Sequence, residues 1–323
     1  MPKFYWGEMG QKLVLSFVFL FFINLSFASN AIGHAPIGVM GDHYHKTNER
    51  MISIRYSAMQ MKGNSLHNNS ISDQEIITRQ VNPFASMSGA PSYLSVVPQK
   101  MDMQMIMIGG MYAYSDNLTY MGMVMFMKNK MTSNTYKGGM DRAYLGNFQT
   151  SLDDLSNFSF SGLYKLVEKN DNRWHLELGI DQSIGKNNNQ GLMLTPMNTY
   201  MKMTMPYPMQ MDESTRLITA LTNSKNFDGL VFGSQIKKYS VIEKEDWSFG
   251  DKLEISSWLQ KPFDDSLSYS IRLLFTKEQN LSGSSSEIKS PVQSANPLNY
   301  GGSELEFGLG VNKIFKFFQK EHI

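Results

Sequence analysis

The chain has 323 residues, a formal net charge of +1 and no cysteine. That balance offers no electrostatic basis for binding nucleic acid, and the lack of thiols excludes disulfides, thiolate metal sites and cysteine nucleophiles. Mean hydropathy is −0.31, too low for a bundle of membrane helices but ordinary for a barrel in which only alternate residues face lipid.

The first element in chain order is a leader. Lys3 and Lys12 precede the apolar run LVLSFVFLFFINLSFA, residues 13–28. Ser26 and Ala28 put small residues at a cleavage site, and the run is shorter than the roughly 20 residues a spanning helix needs. A secretory signal peptide is expected over 1–28. Residues 29–49 form a short His- and Met-bearing segment, a candidate lumen plug, and 50–323 read as a β-barrel.

From residue 50 the recurring pattern is strict alternation, the period of an extended strand. Ile52, Ile54 and Tyr56 share one face, and Ser53, Arg55 and Ser57 the other. Phe158, Phe160 and Tyr164 alternate with Ser159, Ser161 and Lys165; Leu176, Leu178 and Ile180 alternate with His175 and Glu177. Ten strands are predicted: 50–61, 101–114, 117–128, 154–167, 172–184, 214–224, 229–242, 251–261, 266–278 and 302–314. Several carry aromatics near their ends. Short turns (YSDN, KNDNR, KPFDDS) alternate with long polar stretches at 62–98, 129–152, 185–213 and 279–301. Strands of this length, short turns on one side and long loops on the other fit an all-β, antiparallel transmembrane β-barrel. A soluble β-sandwich or lipocalin-like barrel is the alternative. It would have shorter strands, with the apolar face as its core.

Of 25 methionines, Met1 and Met9 lie in the leader and 23 fall between Met40 and Met211. In MDMQMIMIGGMYAY the isoleucines Ile106 and Ile108 oppose Met103, Met105 and Met107; in TYMGMVMFM, Val124 and Phe126 oppose Met121, Met123, Met125 and Met127. If the isoleucine and phenylalanine face meets lipid, both methionine rows line the interior. Thioethers are soft ligands that select Cu(I). Methionine also fills irregular space and adapts to apolar solutes. Upstream, GHAPIGVMGDHYHKTNERM holds His34, His43 and His45 with Asp42 and Glu49, a set suited to Cu(II) or Zn, or equally to a hydrogen-bonded plug. The candidate metal ligands are therefore His34, His43, His45, Met103, Met105, Met107, Met121, Met123, Met125 and Met127. No nucleophile elbow, H-E-x-x-H motif or phosphate loop is present, and His175 beside Glu177 has no nucleophile at hand, so no enzyme is expected.

Several stretches carry a resemblance: GVMGDHYHKTNERMISIRYSAMQMKGN, PQKMDMQMIMIGGMYAYSDNLTYMGMVMFM, TSLDDLSNFSFSGLYKL, MPYPMQMDESTRL and SPVQSANPLNYGGSELEFGLGVN. Together they resemble the bacterial outer-membrane "MetA-pathway of phenol degradation" transporter family, across roughly residues 33–315. The resemblance implies an outer-membrane β-barrel of transport function, inserted by the barrel-assembly machinery. Family members continue with a further hairpin and an aromatic C-terminus, whereas this sequence ends FKFFQKEHI. Either the sequence is truncated or frameshifted, or the barrel closes with ten strands; ten strands of a twelve-stranded barrel, from a truncated sequence, are the expectation. The expected function is a path for a small solute in the outer membrane of a Gram-negative cell, with copper contacts through methionine and histidine. Uptake of phenolic compounds, or a non-conducting metal-binding barrel, are the alternatives. The expected partners are lipid, the insertion machinery and a solute or metal ion, and not nucleic acid.

Overall fold

The structure, a computed structural model, describes residues 32–66, 69–317 and 320–322. The expected signal peptide over 1–28 lies outside the described residues, as do residues 29–31, His67 and Phe318. All ten predicted strands form: β1 (Arg50–Lys62), β2 (Val96–Ser115), β3 (Leu118–Tyr136), β4 (Tyr144–Lys169), β5 (Asn172–Ser183), β6 (Thr215–Phe227), β7 (Leu230–Glu243), β8 (Lys252–Asp264), β9 (Leu267–Glu278) and β10 (Gly302–Lys313). Each pairs antiparallel with the next, giving one ten-stranded sheet in chain order. The sheet curls into a half-barrel; among the described residues β1 and β10 are not paired with each other. Residues 315–317 pair with 320–322 in a separate small ladder.

The alternation sorts as expected. On the convex side Ile54, Tyr56, Phe160, Leu178, Ile236, Ile271 and Leu309 are exposed. On the concave side Ser161, His175, Glu177, Thr222, Gln235, Lys237 and Ser270 are buried. This reverses the arrangement of a soluble sandwich, where the apolar face would be the hidden one. Among the described residues no helix is long and apolar enough to cross a membrane, which says nothing about strands.

Tight turns join the strands at one end. Asn170 and Asp171 both take positive φ, as do Asp228 and Gly229, the conformation that two-residue hairpins favour. At the other end the strands overrun their predicted limits. The stretch 129–152, expected as a polar loop, is mostly strand, because β3 continues to Tyr136 and β4 begins at Tyr144. Its outward residues include Lys130, Gln149 and Ser151, while Met131, Ser133, Phe148 and Leu152 are buried inward. The hairpin thus projects past the apolar belt and is covered by connecting segments. One of these holds the helix α1 (Asp73–Arg79), capped reciprocally by Ser72 and Glu75. Another folds as a small hairpin, Gln190–Leu194 with Tyr200–Thr204.

Candidate functional site

The methionine rows meet in register. Met107 lies opposite Met125 and Met105 opposite Met127 between β2 and β3. Met103 lies opposite Met59, and Met101 opposite Met61, between β2 and β1. Directly opposed residues stand close enough for their side chains to touch, so three strands build one continuous thioether wall. It lines a concave cavity of about 1090 Å³ together with Met61, Met101 and Met211. Met103, Met105, Met107, Met123, Met125 and Met127 all face this cavity, with Ile106, Ile108 and Phe126 exposed on the other side. Met121 is set apart from them. It is buried with Met111 and Leu163, against Met51, and serves as packing.

Toward the long-loop end the wall is sealed by the segment Met205–Met211. Met205, Met209 and Met211 are buried on Met131 and Leu152, with Met101 and Met127 against them. Gln210 holds this plug in shape, donating to the carbonyls of Asn189 (2.9 Å) and Met205 (2.7 Å) and accepting from the Asn189 N–H (2.7 Å). The Met-x-Met pairs at 201–211 therefore split, Met205–Met211 joining the wall and Met201 staying exposed.

The cavity's opposite wall is charged. Arg216 pairs with Asp212 and lies 3.8 Å from Asp181, which accepts a 2.8 Å hydrogen bond from Asn157. Lys252 is 2.8 Å from Glu254 and sits over the Tyr239 ring. The sequence pattern did not single out these residues. What it could not reveal is that they meet across the curl, since they come from β5, β6, β7, β8 and the Asp212 loop.

The N-terminal segment crosses the concave face, strung on its own carbonyls. Arg55 of β1 donates to Val39 (3.1 Å), His175 of β5 to Gly41 (2.8 Å) and Gln235 of β7 to Met40 (3.0 Å). Arg272 of β9 donates to Ile37 (3.2 Å) and Asn312 of β10 to His34 (3.4 Å). Gly38 and Gly41 both take positive φ and press against Arg272 and Glu177, so the glycines of GVMGDH are needed for both reasons. The segment separates the large cavity, which Ile37 and Met40 line, from a second of about 560 Å³ toward the tight turns, which holds the histidines.

In that second chamber the three candidate histidines converge. The His34 and His43 rings are 4.3 Å apart and the His43 and His45 rings 4.8 Å. His43 Nε2 faces His45 Nε2 at 3.2 Å. Asp42 Oδ2 lies 3.1 Å from His43 Nδ1, and Glu49 Oε2 lies 3.4 Å from His45 Nδ1. Single donor atoms of His34, Asp42 and His43 all lie within 4.8 Å of one another. Burial, reinforced by neighbouring imidazoles, lowers His34 and His45 to about 4, so both rings are neutral ligands at physiological pH. Burial alone would raise the Asp42 carboxyl. His43, His34 and the Ala35 N–H instead hold it well below the usual carboxylate range. The structure thus brings the predicted residues, Met121 excepted, together as two separate clusters, one of sulfur and one of nitrogen.

No family model matches this chain, and no curated protein matches it either.

Proposed function

We propose that the chain is an outer-membrane β-barrel of a Gram-negative cell, offering a lumenal path for a small solute, with the thioether wall as the surface that contacts a soft cation such as Cu(I). In this reading residues 1–28 are a cleaved signal peptide and the convex apolar belt meets lipid. Membership of the family that the sequence resembles, and its twelve-stranded barrel, are part of the same proposal. So is insertion by the barrel-assembly machinery.

The observation that carries it is the in-register methionine wall facing a cavity of about 1090 Å³. Several weak, equivalent soft ligands in a row suit an ion that must bind and then leave. The test is a Cu(I) titration of the refolded barrel, with Leu replacing Met103, Met105, Met107, Met123, Met125 and Met127. Leu keeps volume to within a methylene or so and should cost little stability, so loss of Cu(I) binding in a folded variant is the expected result. Equal binding by the variant would contradict the role given to the wall.

A second reading is supported by the other wall. A cavity with methionine on one side and Arg216, Asp181, Lys252 and Tyr239 on the other also suits an amphipathic phenolic solute, whose ring would lie on thioether and whose hydroxyl would meet the charged side. Liposome uptake of phenol compared with copper ions separates the two.

A further inference from the structure

We infer that the His43 and His45 imidazoles, with His34 and Asp42 beside them, form a nitrogen-rich site for a divalent cation of the Zn(II) class, distinct from the thioether wall and serving to lock the N-terminal segment in place. The inference rests on the reading of that segment as a lumenal element and adds an ion, a geometry and a role.

The geometry begins with proton placement. The nearest acceptor to His43 Nδ1 is the Asp42 carboxylate, and the nearest to His45 Nδ1 is Glu49. With Nδ1 turned toward a carboxylate, each ring can offer the lone pair of its Nε2. Those two Nε2 atoms stand 3.2 Å apart, close enough for both to reach one cation in place of the hydrogen bond that otherwise joins them. The spacing is compatible with a tetrahedral cation. Two nitrogens about 2.0–2.1 Å from one tetrahedral ion stand about 3.3–3.4 Å apart. The cis positions of a square-planar Cu(II) site would bring them to about 2.8 Å. The observed separation lies nearer the tetrahedral edge.

The surroundings complete the pattern of an imidazole metal site. Metal-bound histidines almost always donate their second N–H to a carboxylate or carbonyl, which fixes the ring and raises its basicity. Asp42 and Glu49 stand in that position for His43 and His45. Their two negative charges balance a divalent ion held by neutral imidazoles. His43 Nδ1 is buried without an aligned hydrogen-bond partner despite the 3.1 Å approach of Asp42, and a cation on Nε2 would draw that contact tighter. The fourth position opens onto the chamber of about 560 Å³. All three ligands come from one short segment, so the ion would close the loop between His34 and His45 and stiffen the stretch that crosses the concave face.

The experiment is a Co(II) titration of the untagged full chain, refolded in detergent micelles. The expected result is the intense visible absorption of tetrahedral Co(II), saturating at one equivalent and displaced by Zn(II). His43→Gln and His45→Gln should each weaken binding tenfold or more, and Asp42→Asn by about tenfold. The six-fold Met→Leu variant should bind Co(II) as the unmodified chain does, whatever becomes of its Cu(I) binding. The unmodified chain decides the matter even if a variant fails to fold. No tetrahedral band in it, or a six-coordinate spectrum, overturns the site, as does an undiminished band in the folded histidine variants. Loss of the band in the Met→Leu variant would overturn its independence from the wall.

Discussion

Glu177 and Lys237 face each other inside the curl at 2.9 Å, with side chains 0% and 4% exposed. A buried pair of this kind contributes little net stability against an apolar replacement, but half of one is costly. Lys237→Met should therefore destabilise the folded sheet by about 3–5 kcal/mol. Adding Glu177→Leu should restore most of that loss. Urea unfolding of both variants in micelles checks it, and an additive pair of losses would show that the two side chains do not depend on each other. Gly41 rests directly on this pair. Its φ is +66°, and a methyl group there would lie 2.7 Å from Glu177 Oε2. Gly41→Ala should cost about 1–2 kcal/mol from the left-handed backbone alone, and more from displacing the segment. A lowered melting temperature together with weakened Co(II) binding is the expected outcome. An unchanged melting temperature would mean that the segment does not sit against Glu177.

The strands carry a readable boundary between belt and rim. Phe160 lies opposite Gly122 and stacks on Tyr120 in the middle of the apolar face, whereas Gln149 faces outward beyond it. Phe160→Arg should cost about 2–4 kcal/mol for folding into a bilayer, the usual penalty for arginine near the midplane of the lipid face. Gln149→Arg should cost almost nothing. Equilibrium folding into liposomes measures both, and equal costs would remove the lipid-facing assignment. Period-two alternation made these strands legible, since one register places every residue of a strand on a face. It did not mark where the strands end. Beyond Phe126 the outward residues turn polar while pairing continues, so a reading keyed to apolar residues stops early. The helix α1 was missed although Ser72 and Glu75 form the S-x-x-E signature of a capped start, because seven residues are too few to show a helical period. Both candidate donor clusters were visible in the sequence. The separation of Met121 from its row was not, because it depends on Leu163 of the neighbouring strand and on Gly41 of the N-terminal segment, which the pattern of β3 alone does not record.

The whole molecule is a curled sheet with an apolar outside and a divided inside. Five strands hold the N-terminal segment by its carbonyls, so the segment spans the width of the concavity rather than lying along one strand. It parts a sulfur-lined chamber from a histidine-lined one. Everything argued for either chamber depends on which way the faces of β2 and β3 point in a membrane. The natural absence of cysteine allows a direct measurement: single substitutions Met105→Cys, Met123→Cys and Met125→Cys against Ile106→Cys, Val124→Cys and Phe126→Cys, reconstituted in liposomes. The account predicts that a water-soluble thiol reagent modifies the three former methionine positions. A fluorophore attached at the other three positions before reconstitution should be quenched by brominated lipid. Quenching at 105, 123 and 125 with aqueous modification at 106, 124 and 126 would contradict it.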